Sequence, residues 1–269
     1  MTASLVIGGE KIEVSGPAAV VDLISQRFGP FVQARSCESS SSPIFIEVAN
    51  ETRTSSIIER VPNVRITASG PDQITVDGAM TAHYFISARR GFIARADNLG
   101  HIDAMLRLVL SVALPLSGAV LMHGAALNNP LFGAIAVCGD SGAGKSTAAA
   151  AFGAACDELI VLRPENENVQ LSATPYWRGT KLSAPCQTVV CLLRGGEPTL
   201  VHERGMTAMR RLARHVIRHV SIEPVDRAIL QLLSLICKNT ALMTARCPEG
   251  AAFIPYLSEK FTQMLHAAA

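Results

Sequence analysis

The sequence predicts a mixed α/β (α+β) protein, with a β-rich lobe over residues 1–97 followed by a core over residues 98–269 built around a strand, a glycine-rich loop and a helix. Three observations carry that expectation. The first hundred residues are mostly short strand-like runs with one helical run among them. The stretch GDSGAGKST, residues 139–147, lies between an apolar strand pattern and an alanine-rich helix pattern. Across 269 residues, 49% are hydrophobic and 17% charged, a composition that buries a substantial core rather than a solvated tail.

In chain order, SLVIGG and EKIEVSG read as a hairpin closed by Gly8 and Gly9, and AAVVDLISQRFGPF as a helix stopped by Gly29 and Pro30. SCESSSSP, residues 36–43, reads as a polar loop or linker. IFIEVA, NVRITAS, QITVDG and AHYFISA read as strands, with Ser69–Asp72 turning between two of them. Arg89 and Arg90 read as part of a solvated face. NLGHIDAMLRLVLSVAL has helical spacing, and GAVLMHGAAL and FGAIAVCG are apolar strands joined through Asn128, Asn129 and Pro130. Toward the C-terminus, TAMRRLARHVIRHVSI reads as an amphipathic basic helix carrying His215 and His219 on its solvated side. An apolar helix and a strand follow, and SEKFTQMLH closes the chain as a helix.

Composition also narrows the partners. A net charge of +2 without a concentrated basic face argues against nucleic acid. The apolar run Leu108–Met122 is interrupted by Pro115 and is shorter than the ~20 residues of a membrane span, so it reads as the end of a buried helix and a core strand. The cysteines at 37, 138, 156, 186, 191, 237 and 247 form no CxxC pair, and with no signal-peptide pattern at the N-terminus they point to reduced thiols in the cytoplasm. So few charges leave room for a homo-oligomeric contact.

Gly139, Gly144, Lys145 and Ser146 satisfy G-x-x-x-x-G-K-[ST]. Glycines at 139, 142 and 144 allow successive N–H groups to converge on phosphate oxygens, and the following helix adds its N-terminal partial charge. On this reading Gly139, Ser141, Gly142, Ala143, Gly144, Lys145, Ser146 and Thr147 hold the phosphates of ATP or another nucleoside triphosphate. Lys145 reaches the outer phosphates and Ser146 ligates Mg²⁺. Asp140 would repel a phosphate unless its carboxylate points away or caps the helix. Neither downstream apolar strand, ELIVL or TVVCLL, ends in the aspartate that an ordinary P-loop NTPase uses; they end in Arg163 and Arg194. Instead the acids Asp157 and Glu158 stand at the entrance of the first. Arg178, beside Trp177, is a candidate clamp for a phosphate or an acidic substrate and equally a surface turn residue.

LMHGAAL, VCGDSGAGKSTAAAAFG and DELIVL together resemble the HPr kinase/phosphorylase superfamily, and more closely its shorter HPr-kinase-related members, best over residues 118–162. The resemblance implies a phosphoenolpyruvate-carboxykinase-like nucleotide fold. It implies that His123 lies beside the phosphates, that Asp157 is the general base taking the proton of an accepting hydroxyl, and that Glu158 assists Ser146 with Mg²⁺. Glu158 replaces the family's usual second Asp, which moves that carboxylate out by one methylene. The expected activity is phosphoryl transfer to a hydroxyl, a serine of a peptide or protein. A nucleotide hydrolase or switch, and a nucleotide-binding interaction module without turnover, remain open from the residues alone.

Overall fold

The computed structural model describes residues 1–33, 42–49, 64–96, 98–130, 133–176, 179–248 and 250–268. Cys37, most of the serine-rich stretch 36–43, and the Trp177–Arg178 pair lie outside the described residues. Two sheets and six helices form a mixed α/β fold. The described residues divide into two units, Met1–Ser117 with Arg218–Ala228, and Gly118–Ile217 with Ile229–Ala269.

In the first unit β1 (Thr2–Ile7) and β2 (Glu10–Ser15) pair antiparallel around Gly8 and Gly9. Helix α1 (Ala18–Arg27) buries Val20, Val21 and Ile24. The strands β3 (Ile44–Val48), β4 (Val64–Ala68), β5 (Gln73–Gly78), β6 (Thr81–Phe85) and β7 (Arg90–Arg95) complete a seven-stranded sheet of order β1-β2-β3-β7-β6-β5-β4. Strand β3 buries Ile44, Ile46 and Val48 and exposes Phe45 and Glu47, the period-2 alternation of a sheet wet on one face. Strand β7 has no counterpart in the sequence reading, although it joins β3 to β6. Two arginines and Gly91 dilute its apolar pattern, and at Gly91 the strand passes close to Met105, whose Cε would stand 3.0 Å from a Cβ there.

Helix α2 (Leu99–Leu116) starts on Asn98, whose Oδ1 accepts the His101 N–H at 3.1 Å. Pro115 falls in its last turn, so the run Leu108–Met122 is indeed a helix end followed by a strand. By length and composition α2 could cross a membrane, and 83% of its apolar window is buried within the protein, as in a core helix. The division places α2 with the first unit, whereas the expected boundary at 97/98 put it with the second.

The second unit contains β8 (Val120–Asn129), β9 (Gly133–Gly139), α3 (Lys145–Phe152), β10 (Ala154–Cys156), β11 (Leu159–Glu165), β12 (Asn168–Ala173), β13 (Ser183–Arg194), β14 (Thr199–Glu203) and α4 (Gly205–Ala213). Helix α5 (Glu223–Asn239) begins in the Arg218–Ala228 stretch and continues into this unit, followed by β15 (Ala241–Cys247) and α6 (Phe253–Ala268). The eight-stranded sheet runs β10-β8-β11-β12-β13-β15-β14, with β9 pairing both β8 and β13. Strand β9 is buried from Ala134 to Gly139, as expected where both faces are covered. Strands β9, β13 and β15 are mutually parallel, so Gly139, Arg194 and Cys247 all emerge at the same edge. The core beneath them includes Val137, Phe152, Val190, Leu192 and Phe261, with the Phe152 and Phe261 rings edge-on at 5.1 Å.

One expected element is shorter than its pattern. The basic helix read across residues 207–222 ends at Ala213, because the chain then turns through His215 and meets β8 at a single bridge, Val216 to Met122, flanked by backbone hydrogen bonds at residues 215 and 217. His215 and His219 therefore do not share a helix face. His215 is also not solvated, being 6% exposed.

Candidate phosphate site

The site is built where β9 stops. After Gly139 the chain loops through residues 140–144, with the Ala143 N–H returning to the Asp140 carbonyl at 3.1 Å, and re-forms as α3 at Lys145. Gly144 has φ 97°, and a Cβ there would lie 2.6 Å from the Phe253 ring, so this residue must be glycine on both counts. No side chain caps α3, which leaves its first-turn N–H groups without a side-chain acceptor at the positive end of the helix. Asp140 is exposed and does not supply that cap.

Lys145 is 7% exposed, and its Nζ donates to the Gly139 carbonyl at 2.8 Å and the Asp140 carbonyl at 3.0 Å. Burial holds its pKa below the ordinary lysine range, while Cys138, Asp157 and Asp140 act to raise it. The ammonium is thus held on the loop's own backbone, with Asp157 near enough to act on it. Ser141, Gly142, Ser146 and Thr147 are exposed along the loop and the first turn, and Ala143 is buried beneath them.

Strand pairing assembles the remaining expected residues. His123, on β8, lies opposite Leu159 of β11, and the neighbouring Gly124 N–H donates to the Glu158 carbonyl at 3.1 Å. The Asp157–Glu158 turn is thereby brought beside His123 at the loop end of the sheet. Burial pushes the His123 imidazole below the usual histidine range and Lys145 pushes it further, with Glu158, Asp157 and Asp140 opposing. Asp157 Oδ1 is buried and has no hydrogen-bond partner. A carboxylate oxygen in that condition suits either a proton from a bound hydroxyl or a cation.

No cluster of three or more His, Cys, Asp or Glu able to cage a metal occurs among the described residues. That is compatible with Mg²⁺, which keeps several waters and is commonly held by one or two protein groups together with substrate phosphates. Ser146 is exposed on the first turn of α3, and Asp157 acts on the adjacent Lys145.

Sequence reasoning missed two features here. A recess of about 450 Å³ opens at the shared edge of β9, β13 and β15, lined by Gly142, Gly144, Thr147, Arg194, Pro248 and Phe253 among others. Open parallel sheets place ligands at this edge. The Arg194 guanidinium overhangs the loop, so that a Cβ at Gly142 would lie 3.6 Å from its Nη1. The available signal was an arginine where an ordinary nucleotide-binding strand ends in aspartate. The second missed feature is His215.

No family model matches the chain, and no curated protein matches it. A solved structure of the Hpr(Ser) kinase/phosphatase from Coxiella burnetii aligns over 55% of this chain and 97% of its own, with 12% identity and a TM-score of 0.32.

Proposed function

We propose that this protein is an ATP- and Mg²⁺-dependent, HPr-kinase-like phosphotransferase that passes a phosphoryl group to a hydroxyl, a serine of a peptide or protein, in the cytoplasm. The observation that carries the reading is the partnerless Asp157 Oδ1 on the turn beside His123, within electrostatic reach of Lys145 at a loop formed for phosphate. A carboxylate oxygen left open at that point is what a general base beside the phosphates requires.

The roles follow from charge and position. The uncapped first turn of α3 and the loop N–H groups bind phosphate oxygens, and Lys145 exchanges its backbone carbonyls for the outer phosphates. The recess beside Phe253 receives the nucleoside, its apolar wall suiting a base and Arg194 standing toward the phosphates. Mg²⁺, when bound through Ser146 and Glu158, neutralises phosphate charge. Asp157 Oδ1 takes the proton of the acceptor hydroxyl as its oxygen attacks the terminal phosphorus, and the bond to the leaving diphosphate breaks. His123, neutral near pH 7, lies beside this turn as a hydrogen-bonding group. The six described cysteines are free thiols, which supports the cytoplasmic setting.

The experiment is transfer of label from γ-labelled ATP to a serine-peptide array, with the Asp157→Asn variant in parallel. Label on defined serine peptides, lost in the variant, is expected. Release of phosphate that is indifferent to every acceptor would replace the kinase reading with a hydrolase.

A further inference from the structure

Strand β9 leaves the sheet at the mouth of the loop, and another segment takes its place there. Cys138 is the last residue of β9 paired with β8, opposite Gly124, so Gly139 would next fall opposite His123. That position is occupied by His215. The His123 N–H donates to the His215 carbonyl at 2.7 Å, the Ile217 N–H donates to the Leu121 carbonyl at 2.8 Å, and Val216 bridges Met122 antiparallel. Residues 215–217 therefore continue the line of β9 past the point where the loop departs. This pairing sets His215 across from His123, and His123 is near enough to act on the His215 ring.

His215 is 6% exposed, and no hydrogen bond reaches its imidazole among the described residues. The charges around it come from every element at this corner: Asp140 from the loop, His123 from β8, Lys145 from α3 and Arg211 from α4. Neither ring nitrogen is among the buried atoms that lack a partner, so the polar edge of this otherwise buried ring reaches solvent, where a ligand can meet it.

We propose that His215 is a phosphate-contacting residue of this site: beside the Lys145 ammonium, its imidazole takes a proton from solvent and donates to the terminal phosphate of a bound nucleoside triphosphate. The inference rests on the reading of the loop as a nucleotide site and adds a residue that distinguishes triphosphate from diphosphate. Burial, the largest influence, and then Lys145, His123 and Arg211 hold its pKa below the usual histidine range, against Asp140; a phosphate dianion reverses that balance.

The test is calorimetric titration of the full chain with MgATP and MgADP near neutral pH, in two buffers of different protonation enthalpy. Wild-type protein should take up part of a proton with MgATP and less with MgADP. His215→Gln should lose that uptake and bind MgATP about 10-fold or more weakly, with MgADP affinity changed by less than about 2-fold. A purely structural His215 would alter thermal stability and leave the proton uptake in place, so retained uptake and retained MgATP affinity in His215→Gln overturn the inference while the nucleotide site stands. Absence of MgATP binding to wild-type protein overturns both. Should His215→Gln not fold, imidazole ¹⁵N spectra of the His123→Gln protein decide: a histidine passing from neutral to protonated with MgATP, and not with adenosine, is expected, and no change overturns the proposal.

Discussion

Both units bury ionisable atoms that lack a hydrogen-bond partner, Asp103 Oδ1, Arg27 Nε and Arg89 Nε in the first and Asp157 Oδ1 in the second, but the residues of the first are also joined in ion pairs. In the first, Glu10 is 1% exposed and meets Arg89, and the buried Asp103 meets Arg27 at 3.3 Å. In the second, Lys145 binds only backbone carbonyls, Asp157 Oδ1 binds nothing, and His215 has no hydrogen bond to its ring. The pair in the first unit has a local task, since Arg89 has a left-handed backbone at φ 50° and its carbonyl accepts the Phe45 N–H at 2.9 Å, fixing the turn into β7. The groups in the second unit hold no turn together. Charges joined in ion pairs fix the architecture of the first unit, whereas Lys145, Asp157 and His215 gather at the loop end of the second without an ion pair to one another.

That contrast is sharpened most by Asp157→Asn. Transfer to a serine acceptor should fall by about 10²- to 10⁴-fold, while MgATP affinity stays within about 2-fold of wild type, because a general base acts in the transition state. Steady-state transfer and calorimetry on the same preparation check it. Lys145→Ala comes next: MgATP affinity should fall about 100-fold, adenosine affinity should not change, and Tm should hold or rise because a buried ammonium is removed. Equal losses for ATP and adenosine would remove Lys145 from the phosphate end. Glu10→Gln is the converse experiment. It should cost about 2 kcal/mol in urea denaturation, by stranding Arg89, and leave MgATP affinity untouched.

The smallest expected effect is on pH dependence. His123 and His215 both have pKa values depressed by burial in the folded chain, so below about pH 6.5 the unfolded chain binds more protons and stability declines as pH falls through the folded values. The slope fades above about pH 7.5, once the unfolded histidines have also lost their protons. Urea midpoints in the His123→Gln and His215→Gln variants, each flatter with acidification than wild type, would assign the decline to these rings.

Much of this was legible in the sequence where the information is local. The loop from Gly139 to Thr147 could be read because its spacing, the apolar strand before it and the alanine-rich helix after it are contiguous. The β1–β2 turn and the strand β3 were legible for the same reason, one from Gly8 and Gly9 and the other from strict alternation. Strands β7, β12 and β14 were not, since charged and small residues dilute their periodicity and pairing supplies their definition. His215 was hidden by a stronger effect. The helical pattern of α4 continues on paper through residue 222, and nothing in it announces that β8 offers a free edge where β9 departs. Only the register of distant strands brings His123, His215 and the Asp157–Glu158 turn to one corner.

The central claim is that Lys145, Asp157 and His215, gathered at the loop of the second unit, serve a magnesium-bound triphosphate. Calorimetric titration of the wild-type chain with ATP, in Mg²⁺ and in EDTA, with Lys145→Ala alongside, tests it most directly. The account predicts binding that requires Mg²⁺ and is lost in the variant. Tight wild-type binding unaffected by EDTA or by loss of the lysine, or no binding in either protein, would contradict it.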